Sequence, residues 1–314
     1  MKIPQILSWL VVTGLLAACA PRAGDVATPN PPTATESAAT DVPPTALPPT
    51  PVLPTLTALP ALSAEQLKNA TYFAPNYRRQ VTLKEGSFEE VGVLWVNLLT
   101  YIAFGDLNGD DLPDAAVFLA ENGGGTGVFV SLVVVINQAG QPVQAGSVYI
   151  DDRPNIVGVE IVDGKIVVTA AIHGNNDPGC CPTLPVQQTY ALQDGSPILI
   201  RQTSTSPSGA LRAIYITSPL SGSLVGTPVQ IQGDMPVAPF ENNLVYRVYD
   251  LDFNELDAGP FGVTAADLGA PAQFDNLVSS PAFLPGTTLW FELMETSPAD
   301  GTPLAIARIK LLIP

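Results

Sequence analysis

Nine consecutive residues, Asp106-Leu107-Asn108-Gly109-Asp110-Asp111-Leu112-Pro113-Asp114, hold a dense set of oxygen donors. Asp106, Asn108, Asp110 and Asp114 fall at positions 1, 3, 5 and 9 of the run, and the Leu112 carbonyl falls at position 7. A hard cation such as Ca²⁺ needs this many oxygens converging from one tight loop. Four aspartates in nine residues also repel one another unless a cation sits among them. Two features weaken the site. Asp111 stands at position 6, where a glycine usually makes the sharp turn, and position 12 is Val117 in place of a bidentate Glu. Binding is therefore expected in the millimolar to submillimolar range of extracellular modules. The same residues also favour a plain polar turn between two strands, so both readings stand.

The second constellation is His173-Gly174-Asn175-Asn176-Asp177-Pro178-Gly179-Cys180-Cys181-Pro182. It holds the chain's single His and two of its three Cys. Structural zinc prefers ligands spaced by two or more residues, which adjacent cysteines do not offer. A disulfide between Cys180 and Cys181 is the chemistry expected in an oxidising exterior. Neighbouring Cα atoms sit about 3.8 Å apart across a trans peptide, below the usual disulfide range, so such a ring would be strained and would stiffen a turn. The alternative is a metal-handling or enzymatic unit using residues 173–181. The remaining candidates are thinner. Gly123-Gly124-Gly125 lacks the Lys-Thr of a phosphate loop. Asp250, Asp252, Glu255 and Asp257 read as a solvated strand edge and turn, and the serines have no partner His beyond His173.

These loops must be held by strands. Gly (26) and Pro (32) are abundant, helix patterns are scarce, and 46% of residues are hydrophobic, enough for two ordinary cores. The expected fold is mainly β. An antiparallel meander with one short helix (α+β) spans residues 63–204, and an immunoglobulin-like sandwich spans residues 214–314. Ser63-Ala64-Glu65-Gln66 reads as a capping box opening a helix to about residue 70. Strands follow at 91–104 and 114–120. Hairpins are expected at 128–137 with 142–150, at 155–162 with 165–172, and at 186–192 with 197–201. Asp163-Gly164 and Asp194-Gly195 are strong hairpin signals. Residues 205–213 read as a linker. Beyond it, seven short strands are expected at 214–218, 228–233, 244–250, 260–264, 271–278, 288–295 and 304–313, a spacing typical of such sandwiches. In the last, Ala305, Ala307, Ile309 and Leu311 alternate with Arg308 and Lys310.

Three resemblances add to this. The 106–114 loop resembles the calcium loops of FG-GAP repeats. Ile216-Thr217-Ser218-Pro219, residues 229–233, Phe240-Glu241-Asn242 and Ser297-Pro298-Ala299-Asp300-Gly301 resemble the immunoglobulin-like domain of bacterial spore germination. That resemblance implies a sandwich with an extracellular binding or spacing role and brings no catalytic residues. Asp177-Pro178-Gly179-Cys180-Cys181-Pro182, followed by Tyr190, is more loosely similar to the LppP/LprE lipoproteins.

The amino terminus supplies an address. Residues 1–18 hold the single charge Lys2, an apolar run over 6–18 and small residues at its end, the pattern of a secretory signal. The run is shorter than the roughly 20 residues that span a bilayer. Leu16-Ala17-Ala18-Cys19 resembles the lipobox of bacterial lipoproteins, a likeness that implies cleavage before Cys19 and diacylglyceration of its thiol. Residues 19–62, a lipidated Cys and a Pro/Thr/Ala-rich stretch, read as a semi-rigid stalk. Fully extended at about 3.1 Å per residue, it would reach on the order of 100 Å. The formal net charge of −16 excludes nucleic acid as a natural partner, and losing Lys2 makes it one unit more negative. It also disfavours an anionic membrane surface, so the lipid must do the holding. The expectation is a non-enzymatic surface lipoprotein on the extracytoplasmic side of the cell membrane, its partner an envelope protein or a glycan.

Overall fold

The computed structural model describes residues 60–314. The expected leader, Cys19 and nearly all of the expected stalk lie outside the described residues. Described strands are overwhelmingly antiparallel. The first element is α1 (Ala64–Lys68), the one α-helix among the described residues. Its capping box is formed: Ser63 Oγ accepts the Gln66 N–H at 3.2 Å, and Gln66 Oε1 accepts the Ser63 N–H at 2.9 Å. No described helix is long and apolar enough to cross a membrane.

After α1 come a small hairpin, β1 (Thr71–Ala74) and β2 (Arg79–Thr82), and then five strands in chain order. These are β3 (Ser87–Glu90), β4 (Leu94–Gly105), β5 (Asp114–Asn122), β6 (Phe129–Gln138) and β7 (Gln141–Asp152). β5 is buried along its whole length, which is why it reads as nearly unbroken apolar sequence. Its Ala116, Phe118 and Ala120 enter one core, and its Ala115, Val117 and Leu119 enter another. The second core is closed by Leu67 of α1 with Tyr72 and Val81 of the small hairpin. The first core is closed by a second meander: β8 (Asn155–Val162), β9 (Lys165–Ile172), β10 (Leu184–Gln193) and β11 (Ser196–Thr205). The single meander expected from the sequence is thus folded over into two facing sheets with a third, partial layer. The β8–β9 hairpin turns on Asp163 (φ +50°) and Gly164 (φ +68°), the left-handed pair that a two-residue turn requires.

The segment read as a linker turns at Ser206–Gly209, where Gly209 N–H bonds the Ser206 carbonyl at 2.8 Å. It returns as β12 (Leu211–Arg212), paired on β11. Then follow β13 (Tyr215–Ser218), β14 (Ser223–Leu224), β15 (Val229–Met235), β16 (Asn243–Tyr249), β17 (Glu255–Gly262), β18 (Thr264–Ala265), β19 (Ala272–Val278), β20 (Thr288–Thr296) and β21 (Pro303–Leu312). One face of the sandwich is the four-stranded sheet β13-β15-β19-β18. The other is the run β17-β16-β20-β21, with β14 added in parallel to β21. Phe291, Leu244, Ile231 and Phe274 meet between them. Gly233 of β15 leaves no room for a side chain: a Cβ there would land on the Tyr215 carbonyl oxygen and the Phe274 ring.

The two regions share a sheet. β11 pairs with β21 through Arg201↔Ala307 and Gln202↔Ile306, so one ten-stranded sheet runs from β17 to β8. All described residues fall in a single compact unit.

Candidate functional site

The aspartate loop joins β4 to β5, and its oxygens are turned onto its own backbone. Asp106 Oδ1 accepts the N–H groups of Asn108 and Gly109 at 3.2 and 2.7 Å, and its Oδ2 accepts that of Asp111 at 3.0 Å. Asn108 Oδ1 accepts from Asp110 N–H at 3.0 Å, and Asp110 Oδ1 from Leu112 N–H at 2.9 Å. Asp111 takes φ +64°, so the position where glycine was missed adopts the left-handed turn regardless. Backbone donors, Gly109 first, hold the Asp106 carboxyl below its ordinary range. Asp114 differs: it is fully buried, and its two oxygens accept from Leu107 N–H at 3.0 Å and Asn137 N–H at 2.8 Å. Burial pushes its pKa up, with smaller upward pushes from Asp110 and Asp106, against the pull of those two N–H groups. Asp106, Asn108, Asp110, Leu112 and Asp114 thus lie in one loop, with Asp114 anchoring it to β6. No group of three or more His, Cys, Asp and Glu side chains among the described residues is arranged to hold a metal ion.

Residues 173–183 connect β9 to β10. Asp151, on β7, accepts both the His173 backbone N–H (2.6 Å) and a contact from His173 Nδ1 (2.7 Å) on one oxygen. The other ring nitrogen, Nε2, is buried and has no hydrogen-bond partner among the described residues. An imidazole oriented by a carboxylate is the geometry of a general base, but among the described residues no hydroxyl or thiol is hydrogen-bonded to Nε2. Asp177 organises the loop: its Oδ2 accepts Gly174 N–H (2.9 Å) and Thr183 N–H (2.7 Å), which holds its carboxyl below the ordinary range, as does the Thr183 hydroxyl. Cys180 and Cys181 are joined by a disulfide across adjacent residues, their Cα atoms 3.8 Å apart. The loop also reaches the immunoglobulin-like region. Asn175 N–H bonds Thr302 Oγ1 at 2.7 Å, and Asn175 Nδ2 bonds the Asp300 carbonyl at 3.0 Å. The acidic run after β16 is dispersed by contrast. Asp250 caps its own turn, Glu255 pairs with Arg247, and Asp257 accepts from the Tyr246 hydroxyl.

The sequence reading missed a groove at the junction of the two regions. Its floor is an ion pair between Arg212 of β12 and Glu295 of β20, whose side chains are 14% and 2% exposed. Arg212 Nε bonds Glu295 Oε2 at 3.1 Å, Nη2 meets Glu295 Oε1, and Nη2 also bonds the Ala238 carbonyl at 3.3 Å. Burial pulls the guanidinium pKa down. Above the pair lies a cleft of about 470 Å³, and beside it a second hollow of about 520 Å³. A signal for one half of this existed in the sequence: Arg212 is a single charge between apolar Leu211 and Ala213-Ile214, and a buried charge needs a partner. Which charge meets which depends on the β11–β21 pairing, which no local pattern reveals.

No curated protein matches the chain in sequence. Residues 213–302 match the family model described as the immunoglobulin-like domain of bacterial spore germination, a span that covers β13 to β20 of the immunoglobulin-like sandwich.

Proposed function

We propose that this chain is an exported, lipid-anchored binding protein of a bacterial envelope, and that it is not an enzyme. The observation that carries the reading is the immunoglobulin-like domain at residues 213–302, a type of module that works by contact and spacing. Support for the address comes from the leader pattern of residues 1–18 and the lipobox-like Leu16-Ala17-Ala18-Cys19. In this reading diacylglycerol on Cys19 holds the protein outside the membrane. The Pro/Thr-rich stretch carries the folded part away from the headgroups, and the partner is another envelope protein or a glycan. The 63–204 region, with its LppP/LprE-like Asp177–Pro182 motif, serves as a platform for the terminal domain. The 106–114 loop binds Ca²⁺ weakly as a structural clip, for which the Asp106, Asn108 and Asp110 oxygens must turn from their own backbone N–H groups to the ion. Its spacing and the left-handed Asp111 support that role.

Two measurements test this. Feeding cells an alkyne fatty acid should label the chain, and Cys19→Ser should abolish the label and release the protein from the membrane fraction. Recovery of an unlabelled protein that still begins at Met1 would overturn the proposal. Calcium in the millimolar range should raise the Tm of the wild type, and Asp110→Ala should remove that rise; a wild type indifferent to calcium would discard the clip.

A further inference from the structure

We infer that the groove between the β10–β11 hairpin and the immunoglobulin-like domain takes an extended peptide segment that pairs apolar side chains with a basic one. This rests on the reading of the chain as a binding protein and names what it binds.

The two hollows adjoin, with Leu184, Thr205, Ser206, Pro207, Ser297 and Leu304 lining both, and we treat them as one groove. One end is apolar, walled by Val237, Pro239, Phe240 and Leu268. Phe240 is 59% exposed and Leu268 86%, large apolar surfaces left open at the rim of a concavity. The floor at that end presents donors. Ser204 is 3% exposed, and its hydroxyl has no partner. Arg212 commits Nε and Nη2 to Glu295 and Ala238. Because Glu295 already neutralises Arg212, the floor does not select an anion; it suits a neutral acceptor such as a backbone carbonyl. The opposite end is acidic, lined by Asp177 and Asp300. Both carboxylates are held ionised, Asp177 chiefly by the Gly174 N–H and Asp300 chiefly by the Thr302 N–H. On a chain of net charge −16, that end favours a Lys or Arg. Hollows of about 470 and 520 Å³ side by side match an elongated occupant.

The test uses two dye-labelled pentapeptides, acetyl-Leu-Pro-Leu-Pro-Lys-amide and its counterpart with Glu for Lys, titrated by anisotropy against the full chain in detergent. The Lys peptide is expected to bind saturably and the Glu peptide at least tenfold more weakly, with the Lys affinity falling as NaCl is raised to 0.5 M. Phe240→Ser combined with Leu268→Ser should weaken the Lys peptide at least tenfold and leave Tm unchanged, since both side chains are exposed. Equal binding of the two peptides, no binding of either, or wild-type affinity in the double variant would overturn the inference. Crosslinking in cells separates this from the broader reading. If partners crosslink equally to wild type and double variant, only the groove is wrong. If the wild type captures none, the binding-protein reading itself fails.

Discussion

Glu121 holds a carboxyl group with no solvent exposure and, among the described residues, no cation against it. What it has instead is a turn: Asn76 gives its backbone N–H to Oε2 at 3.1 Å and its Nδ2 to Oε1 at 2.9 Å, fixing the bend between β1 and β2. Burial pushes the pKa of this group above the ordinary 4.5, and the donors from Asn76 and Tyr77 pull it back only in part. The folded state therefore keeps a proton that the unfolded chain has already lost. Stability from this group is fully present below the ordinary value and is lost as pH rises through the raised one. Asp114 acts with the same sign, burial being its main cause as well. We expect Tm to fall as pH rises from about 4 toward neutrality, and Glu121→Gln to flatten that fall without removing Asp114's share. Thermal melts of both proteins between pH 4 and pH 8 check this, and parallel slopes would refute it.

At the scale of elements, the seam between β11 and β21 rests on a buried polar chain. The Tyr190 hydroxyl bonds Gln188 Oε1 at 2.7 Å, Gln188 Nε2 bonds Gln202 Oε1 at 2.8 Å, and Gln202 Nε2 bonds the Pro303 carbonyl at 2.9 Å. Gln188 and Gln202 are 6% and 3% exposed, so water replaces none of these bonds easily. Gln202→Leu would strand Gln188 Nε2 and the Pro303 carbonyl, at about 1–3 kcal/mol for a buried group left unpaired. A Tm loss of several degrees is expected, measurable by calorimetry; an unchanged Tm would mean the chain carries no load. The strands that make this seam were legible one by one, because local signals set them. Asp163-Gly164 fixes its hairpin, the Ser63–Gln66 box starts α1, and the alternation of β21 places Ala305, Ala307, Ile309 and Leu311 in the core. What the alternation leaves open is the fate of the other face. Arg308 faces that other way, and there it bonds buried Glu292 at 2.6 Å and the Leu199 carbonyl of β11 at 2.8 Å. The aspartate loop was legible as a loop, since its residue types dictate turns. The groove was not, because Leu184, Arg212, Glu295 and Leu304 meet only after β11 has found β21.

For the molecule as a whole, a shared sheet predicts shared unfolding. An isolated immunoglobulin-like domain would open the β21 edge at Ile306 and Ala307 and lose the Leu199 carbonyl that Arg308 now reaches. An open edge of that kind is both less stable and prone to pair with another chain. Each region carries its own fluorescent reporter: Trp95 lies on β4, and Trp290 lies on β20, 4% exposed and stacked on Phe253 with ring centroids 5.8 Å apart. With Trp9→Phe in the background, Trp95→Phe and Trp290→Phe leave one reporter at a time. If the seam couples the regions, the two single-tryptophan proteins should give coincident urea transitions, and Gln202→Leu should shift both midpoints together. Separate midpoints, or a Gln202→Leu shift confined to one reporter, would mean that the β11–β21 pairing joins two independent folds. In that case the groove would open and close with their relative motion, and peptide affinity would then depend on the seam as strongly as on the groove's own walls.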